Sequence, residues 1–237
     1  MKCATFNALA DAYIGYGDYS HVAPDLLLPN ARTSGVIQLI NDLDADVVGL
    51  QEVDRSLREA FDEIGNWQIF WSPKGRNKPD GCLTLVKRGV TVDDFNTHYY
   101  TDGSGHVMQS LEIGQILFAN THIKWAPLAS PDHAGIYQTA ELLSRLGPDK
   151  TTVIFADCND RPSGPVRRLI EEAGFVNAAD DEPTAIVNKE LISLDILAVR
   201  GIAAAQIATR YDPINIPNMA CPSDHIPLVA TIGVSCF

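Results

Sequence analysis

Residues 153–160 read VIFADCND, an apolar run that passes directly into acids and an amide. The apolar half predicts a strand buried on both faces, because it lacks the alternation of a half-exposed strand. An acid at the end of a buried strand is costly unless it is paired. Polar residues at the mouths of strands are also how α/β folds build their sites. The stretch therefore predicts a buried sheet with a functional site at its edge.

The rest of the chain repeats short apolar runs between helix-like segments. Further strands are predicted over residues 2–8, 47–50, 67–71, 82–87, 107–113, 116–121, 194–199, 203–208 and 228–232. Apolar spacing predicts helices over residues 31–44, 131–146 and about 163–174. Their expected inward faces are Val36, Ile37, Ile40 and Leu43; Ile136, Ala140, Leu143 and Leu146; Val166, Leu169, Ile170 and Ala173. This mixture indicates an α/β (α+β) fold whose sheets are not purely parallel, and the absence of repeats favours one domain over residues 1–237.

Composition limits the possible functions. Of 237 residues, 18 are Lys or Arg and 30 are Asp or Glu, so the net charge of −12 disfavours a broad grip on nucleic acid. No apolar run approaches the roughly 20 residues of a membrane span, and the first residues lack a secretory pattern. Five cysteines without a CxxC pair predict buried, reduced thiols. We expect a cytoplasmic protein that does not enter membranes.

Polar residues recur at six predicted strand ends. These are Asn7, Gln51-Glu52, Asn120-Thr121-His122, Asp157-Cys158-Asn159-Asp160, Asp195 and Asp224-His225. Carboxylate and amide oxygens suit Mg²⁺ or Mn²⁺ better than zinc. Asp157 and Asn159 are two residues apart, so on an extended backbone both side chains face the same side. Each block alone also fits a solvated acid, a helix cap or a structural histidine, but their recurrence favours a site.

The order of these blocks resembles the endonuclease/exonuclease/phosphatase superfamily over residues 5 to about 230. Trp125, Pro127 and Gln138 are similar to the deadenylase–nocturnin–angel branch. The resemblance implies a four-layer sandwich: two mixed β-sheets packed face to face, with helices on the outside. It also implies Mg²⁺-dependent hydrolysis of a phosphate ester, with one or two ions. Ala156 and Cys158 depart from the family pattern but leave the acid and the amide in place.

The resemblance also implies roles for individual residues. Metal ligands are expected among Glu52, Asn7, Asp224, Asp157, Asn159 and His225. Catalytic roles are expected for Asp157, Asn159, His225, Asp195, His122 and Asn7. In this scheme Asp157 orients or deprotonates water, Asn159 holds a phosphate oxygen, and His225 paired with Asp195 stabilises the transition state. His122 is expected to touch the scissile phosphate.

The short chain and its negative charge favour a substrate with a short footprint, such as an RNA terminus, a dinucleotide or a nucleotide. Substrate contacts are expected from Trp125, Arg161, Lys124, Lys74 and Arg76. Lys78, Arg167 and Arg168 are further candidates for a basic rim, and Tyr13 for stacking on a base.

No protein partner is expected, and the chain is interpreted as a monomer. Three alternatives stay open for the same chemistry: a DNA lesion, a phosphoinositide or a small phosphate ester. A catalytically silent binding module is a fourth.

Overall fold

The computed structural model describes residues 1–127, 133–179, 182–187, 189–207 and 215–233. The strands, in chain order, are β1 (Lys2–Asn7), β2 (Val47–Asp54), β3 (Trp67–Pro73), β4 (Asp80–Lys87), β5 (Asp94–Tyr99), β6 (Val107–Ile113), β7 (Ile116–His122), β8 (Thr151–Asp157), β9 (Val176–Asn177), β10 (Ala185–Val187), β11 (Glu190–Ile192), β12 (Asp195–Arg200), β13 (Ala204–Ile207) and β14 (Leu228–Ile232). The helices are α1 (Thr33–Asp42), α2 (Arg55–Ile64), α3 (Ala134–Leu146) and α4 (Pro165–Glu172), and 3₁₀ turns cover Asp11–Tyr16 and Pro24–Leu27.

Two six-stranded mixed sheets form the centre of the fold. The first has the order β13-β14-β1-β2-β4-β3, and the second has the order β5-β6-β7-β8-β12-β9. Only the β1–β2 and β7–β8 pairs are parallel among the paired strands of these two sheets. Strands β10 and β11 form a separate hairpin. The expectation of mixed sheets is confirmed.

Three apolar clusters define the layers. Between the sheets, Val47 of the first sheet shares a cluster with Phe118 and Phe155 of the second. Helices α1 and α2 pack Ile40 and Phe61 onto the other face of the first sheet. Helices α3 and α4 cover the second sheet in the same way, through the buried residues Leu142, Leu146, Val166 and Ile170. The predicted four-layer sandwich is confirmed.

Strand register brings the polar strand ends to one edge. Asn7 of β1 lies opposite Gln51 of β2, and His122 of β7 lies opposite Asp157 of β8. Asp195 begins the antiparallel β12 and also faces Asp157. Because parallel strands end at the same edge of a sheet, side chains from four segments of the chain meet there.

The structure corrects several predictions about elements. In α3 the inward face is shifted: Ala140 is exposed, whereas Gln138 and Leu142 are fully buried. Helix α2, strand β5, the short strands β9–β11 and the 3₁₀ turns were not predicted. Asp54 caps α2 by accepting a hydrogen bond from the Leu57 amide (2.8 Å). Residues 131 and 132 of the predicted helix and residue 208 of the predicted strand fall outside the described residues.

Two expectations from composition can be compared with the structure. Four cysteines, Cys3, Cys82, Cys158 and Cys221, are buried free thiols, as predicted. Cys236 lies outside the described residues. No helix in the described part of the chain combines the length and the apolar character needed to cross a membrane.

Candidate active site

Asp157 is the centre of the polar cluster. Its Oδ2 atom accepts a hydrogen bond from Asn7 Nδ2 (2.8 Å), and its Oδ1 atom accepts one from the Asn159 amide (2.8 Å). The same Oδ2 atom lies 3.6 Å from His122 Nε2 and 3.9 Å from His225 Nε2. Asp157 is only 1% exposed. The fold thus brings together residues from β1, β7, β8 and the segment before β14.

Glu52 reaches this cluster through a bulge in β2. The pairing of β2 with β4 shifts between Leu50 and Val53, and the φ angle of Glu52 is 51°. A bulge re-aims a side chain and often occurs beside an active site. The Glu52 carboxylate accepts a hydrogen bond from the Ala10 amide (3.2 Å) and lies 3.8 Å from His122 Nδ1.

Asn159 reaches the cluster by a turn and not by strand alternation. It follows the end of β8 and has a φ angle of 48°, so the expected extended geometry at this position was wrong. Its Nδ2 atom donates to the Ile123 carbonyl (2.9 Å) and lies 2.8 Å from His122 Nε2. The acid of this block that contacts the next helix is Asp160, which accepts a hydrogen bond from the Val166 amide in the first turn of α4 (2.7 Å).

His225 and Asp195 form a buried pair. The Nδ1 atom of His225 is 2.8 Å from Asp195 Oδ2. Burial opposes the charged imidazole, but the Asp195 carboxylate and its hydrogen bond hold the pKa of His225 well above its ordinary value. Asp157 and Asp224 act in the same direction. The raised pKa favours the protonated imidazole of His225, a form suited to stabilising negative charge.

Lys74 lies inside the site and not on its rim. It is 6% exposed, and its Nζ atom is 2.5 Å from Asp80 Oδ2 and 3.3 Å from His122 Nδ1. Tyr13 donates to the other oxygen of Asp80 (2.8 Å). Burial, together with the positive charge of Lys74, lowers the pKa of His122 well below its ordinary value. His122 is thus a neutral imidazole. Asp80 was not predicted, because the PDG sequence around it is typical of a turn.

The negative charge of the acids in this cluster exceeds the positive charge of the side chains around them. Burial, with Asp224 and Asp157 nearby, raises the pKa of Glu52 to about 7. Burial and the Asp195 carboxylate raise the pKa of Asp157 to about 6. Ligand atoms of Glu52, His122 and Asp157 lie within 4.8 Å of one another. This crowded donor set, dominated by carboxylate oxygens, fits a divalent cation.

Asp224 stands beside this group and not within it. Its Oδ2 atom accepts a hydrogen bond from Tyr19 (2.7 Å), and Asp224 lines the same cavity as Glu52 and His225. That cavity has a volume of about 450 Å³. A second cavity of about 300 Å³ meets the cluster at Asn159.

The predicted substrate residues are divided between the second cavity, the surface and the interior. Trp125 and Arg161 line the second cavity, and Arg161 also pairs with Glu190 (3.2 Å). Lys124 is exposed, and its backbone amide donates to Gln138 (2.8 Å). In the β3–β4 turn Arg76 is exposed and Lys78 is half-buried. In α4 Arg168 is exposed, whereas Arg167 is buried and does not lie on a rim.

The fold and this cluster define a hydrolase of phosphate esters. Residues 4–225 match the Endonuclease/Exonuclease/phosphatase family, and the chain belongs to that family. Carbon catabolite repressor protein 4 homolog 4 of Arabidopsis thaliana is 30% identical over 90 residues, which are 37% of this chain and 22% of that protein. The resemblance recognised in the sequence is confirmed.

Solved structures share the fold across almost the whole chain. ANGEL2, a 2′,3′-cyclic phosphatase, has a TM-score of 0.84 at 18% identity, covering 98% of this chain and 94% of that chain. It has also been solved in complex with adenosine-2′,3′-vanadate. The human nocturnin catalytic domain with bound sulfate has a TM-score of 0.75 at 19% identity, covering 98% and 93%.

Proposed function

We propose that this protein is a Mg²⁺- or Mn²⁺-dependent phosphoesterase that hydrolyses a phosphate ester at an RNA 3′ end or in a nucleotide. The observation that carries the proposal is the convergence on Asp157 of Asn7, His122, Asn159 and His225. The ANGEL2 complex with a nucleoside vanadate supports the substrate class. The net charge of −12 favours a short footprint over a long nucleic acid.

Each residue of the cluster has a distinct part in this reaction. Glu52 and Asp157, with Asn7 and Asp224 beside them, would hold the cation. When bound, a divalent cation stabilises negative charge on phosphate oxygens and lowers the pKa of water. Asp157, at the centre of the cluster, accepts the proton of the attacking water as a general base.

The imidazoles and the amide act on the phosphate. The His225 cation, oriented by Asp195, stabilises the negative charge that develops on the phosphate oxygens in the transition state. The neutral His122 and Asn159 position a phosphate oxygen. Their Nε2 and Nδ2 atoms are 2.8 Å apart and lie beside Asp157. Trp125 and Arg161 offer a ring and a cation in the adjoining cavity, which suit a base and a phosphate. Lys124 and Arg76 supply further positive charge.

The proposal includes the setting of the enzyme. Residues 1–237 act as one catalytic domain, in the cytoplasm and as a monomer. Four buried free thiols among the described residues support a reducing compartment.

The test is a substrate comparison with one catalytic variant and one control. A short oligo(A), the same oligonucleotide with a 2′,3′-cyclic end, abasic duplex DNA and a small phosphate ester are each incubated with Mg²⁺ or Mn²⁺. We expect hydrolysis at the RNA end, its loss with EDTA, and a fall in kcat of about 10³-fold in Asp157→Asn. Asp44→Asn, which removes an exposed acid paired with Lys87 (2.7 Å), retains full activity.

Two results would overturn the proposal. One is no turnover of any ester with either metal. The other is turnover that survives both EDTA and Asp157→Asn. Preference for abasic DNA or the small ester would reassign the substrate while keeping the chemistry.

A further inference from the structure

Arg32 is a buried arginine outside the catalytic cluster. It is the residue before α1 and is 4% exposed. Its Nη1 atom donates to the Ala8 carbonyl (3.0 Å) and to the Pro222 carbonyl (2.9 Å). Its Nη2 atom donates to the Leu9 carbonyl (2.5 Å) and to the Asp11 carboxylate (2.7 Å). A buried charge needs such partners, and here they belong to two segments far apart in the sequence, the loop after β1 and the loop before β14.

The loop after β1 positions two residues of the cluster. Leu9 has a φ angle of 56°, a left-handed conformation that is uncommon for leucine. In this conformation its amide donates to Asn7 Oδ1 (2.9 Å), and the next amide, that of Ala10, donates to Glu52 (3.2 Å). Such a backbone persists only where surrounding contacts fix it. The hydrogen bonds of Arg32 to the carbonyls of this loop are contacts of that kind.

The loop before β14 leads into the catalytic imidazole. Pro222, whose carbonyl binds Arg32, is followed by Ser223. The Ser223 hydroxyl donates to the Asn7 carbonyl (2.7 Å) and accepts a hydrogen bond from the His225 amide (3.2 Å). The two loops are therefore joined twice, once by this hydroxyl and once by the guanidinium of Arg32. The placement of His225 relative to Asn7 depends on both links.

We propose that Arg32 is a positioning residue for the hydrolysis, which holds the Asn7 loop and the His225 loop at the separation that the reaction needs. This inference rests on the proposed function. The guanidinium suits the task because its two Nη atoms lie in one rigid plane and bind both loops at once. Lysine has a single ammonium nitrogen and cannot reproduce this fork. A catalytic group displaced by about 1 Å lowers the rate about 10²-fold, so loosening of the two loops acts on kcat.

The first experiment compares Arg32→Ala and Arg32→Lys with the wild type on its preferred phosphate ester. We expect kcat to fall about 10²-fold in Arg32→Ala and about tenfold in Arg32→Lys. KM changes by less than about threefold in both variants, because Arg32 lines neither cavity. Thermal unfolding establishes that each variant is folded at the assay temperature. Arg32→Lys keeps a cation beside Asp11, so it decides the question even where Arg32→Ala does not fold.

The second experiment restores the missing group to Arg32→Ala. Guanidinium chloride is added at millimolar concentrations, far below those that unfold proteins, with the ionic strength held constant by NaCl. We expect a saturable rise in kcat of about tenfold, and none in the wild type.

Arg200→Ala is the matched control for this rescue. Arg200 donates to the carbonyls of Ala173 (3.2 Å) and Gly147, and it lies at the end of β12 opposite to Asp195. Its loss lowers the melting temperature, leaves kcat and KM unchanged and gives no response to guanidinium.

The outcomes separate positioning from a general effect on stability. Wild-type kcat in Arg32→Lys would overturn the positioning role, and so would a folded Arg32→Ala whose kcat guanidinium does not raise. A fall in kcat of equal size in Arg200→Ala would also overturn it. Each of these results leaves the phosphoesterase intact. Absence of turnover by the wild type with either metal would overturn the proposed function and this inference together.

Discussion

Gln51 and Glu52 are neighbours in β2, yet they belong to two different polar regions. Gln51 lies between the sheets, where its amide nitrogen donates to Asn120 (2.8 Å) and Thr5 (3.1 Å). Asn120 in turn donates to the Leu50 carbonyl (3.1 Å). This region, which we call the inter-sheet network, is buried and consists of amides and hydroxyls without charge.

The region around Glu52 and Asp157 is largely buried too, but it is charged and opens into the 450 Å³ cavity. There the pKa values of both acids are raised, because burial and neighbouring carboxylates disfavour their ionised forms. Paired neutral groups stabilise a core, whereas unbalanced charge costs stability and creates a site for a counter-ion. The comparison teaches that burial alone does not identify a functional polar residue; the balance of charge around it does.

The largest expected effect comes from breaking the inter-sheet network. Asn120→Ala removes an acceptor of Gln51 and a donor to Gln109 (3.1 Å), so both buried amides lose a hydrogen-bond partner. We expect the free energy of unfolding to fall by about 3 kcal/mol in urea denaturation. Asn96→Ala, on the exposed strand β5, serves as the control and changes stability by less than about 0.5 kcal/mol. A loss below 1 kcal/mol for Asn120→Ala would contradict a stabilising role.

The second prediction concerns the charged region and has the opposite sign. Glu52→Gln should stabilise the metal-free protein at pH 8 by about 2 kcal/mol while abolishing metal binding, because it removes a buried charge. The pKa of Glu52 is raised from 4.5 in the unfolded chain to about 7 in the folded protein. Ionisation of Glu52 therefore lowers the stability of the wild type as the pH rises through this window. The gain is therefore absent near pH 4.5 and complete above pH 7.

Thermal unfolding in EDTA at several pH values measures this effect. Gln51→Glu is the matched control, since it places a carboxylate one residue away in the inter-sheet network and should destabilise the protein at pH 8. Glu52→Gln being less stable than the wild type at pH 8 would show that this acid is not under electrostatic strain.

The smallest expected effect is on metal affinity as a function of pH. Protons compete with the cation for Glu52 and Asp157, whose pKa values are about 7 and about 6. Mn²⁺ affinity should therefore fall by about tenfold between pH 8 and pH 6. Calorimetric titrations in two buffers of different ionisation enthalpy detect the released protons. Affinity that does not change with pH would argue against both carboxylates as ligands.

Buried strands carry a strong apolar signal, which predicted the strands and an α/β fold with sheets that are not purely parallel. The two-sheet sandwich was predicted from the family resemblance. It missed α2, although Leu57 and Phe61 have helical spacing between an Asp cap and Gly65, because the segment is otherwise mostly charged. It missed β5 because an edge strand with the sequence DFNTHY shows little apolar pattern. In α3 the choice of inward face failed because Gln138 is buried to hold the Lys124 amide.

For the site, the sequence predicted which residues meet but not how they are balanced. Strand-end acids and imidazoles were visible as a pattern, and their convergence follows from strand register. The sequence did not indicate that Lys74 is buried, because a lysine in a loop rich in Gly and Pro usually faces solvent. Its partner Asp80 is brought next to it only when β3 and β4 form a hairpin. Likewise, the sequence around Gln51 and Glu52 does not indicate that their side chains enter two different regions, because a bulge in β2 sets their directions.

The position of β14 has a consequence for synthesis of the protein. This strand lies between β13 and β1, pairing Thr231 with Lys2, and His225 stands just before it. A nascent chain that carries Glu52 and Asp157 still lacks His225, and its first strand has one free edge. The first sheet and the cluster around Asp157 are therefore complete only after translation has passed this strand.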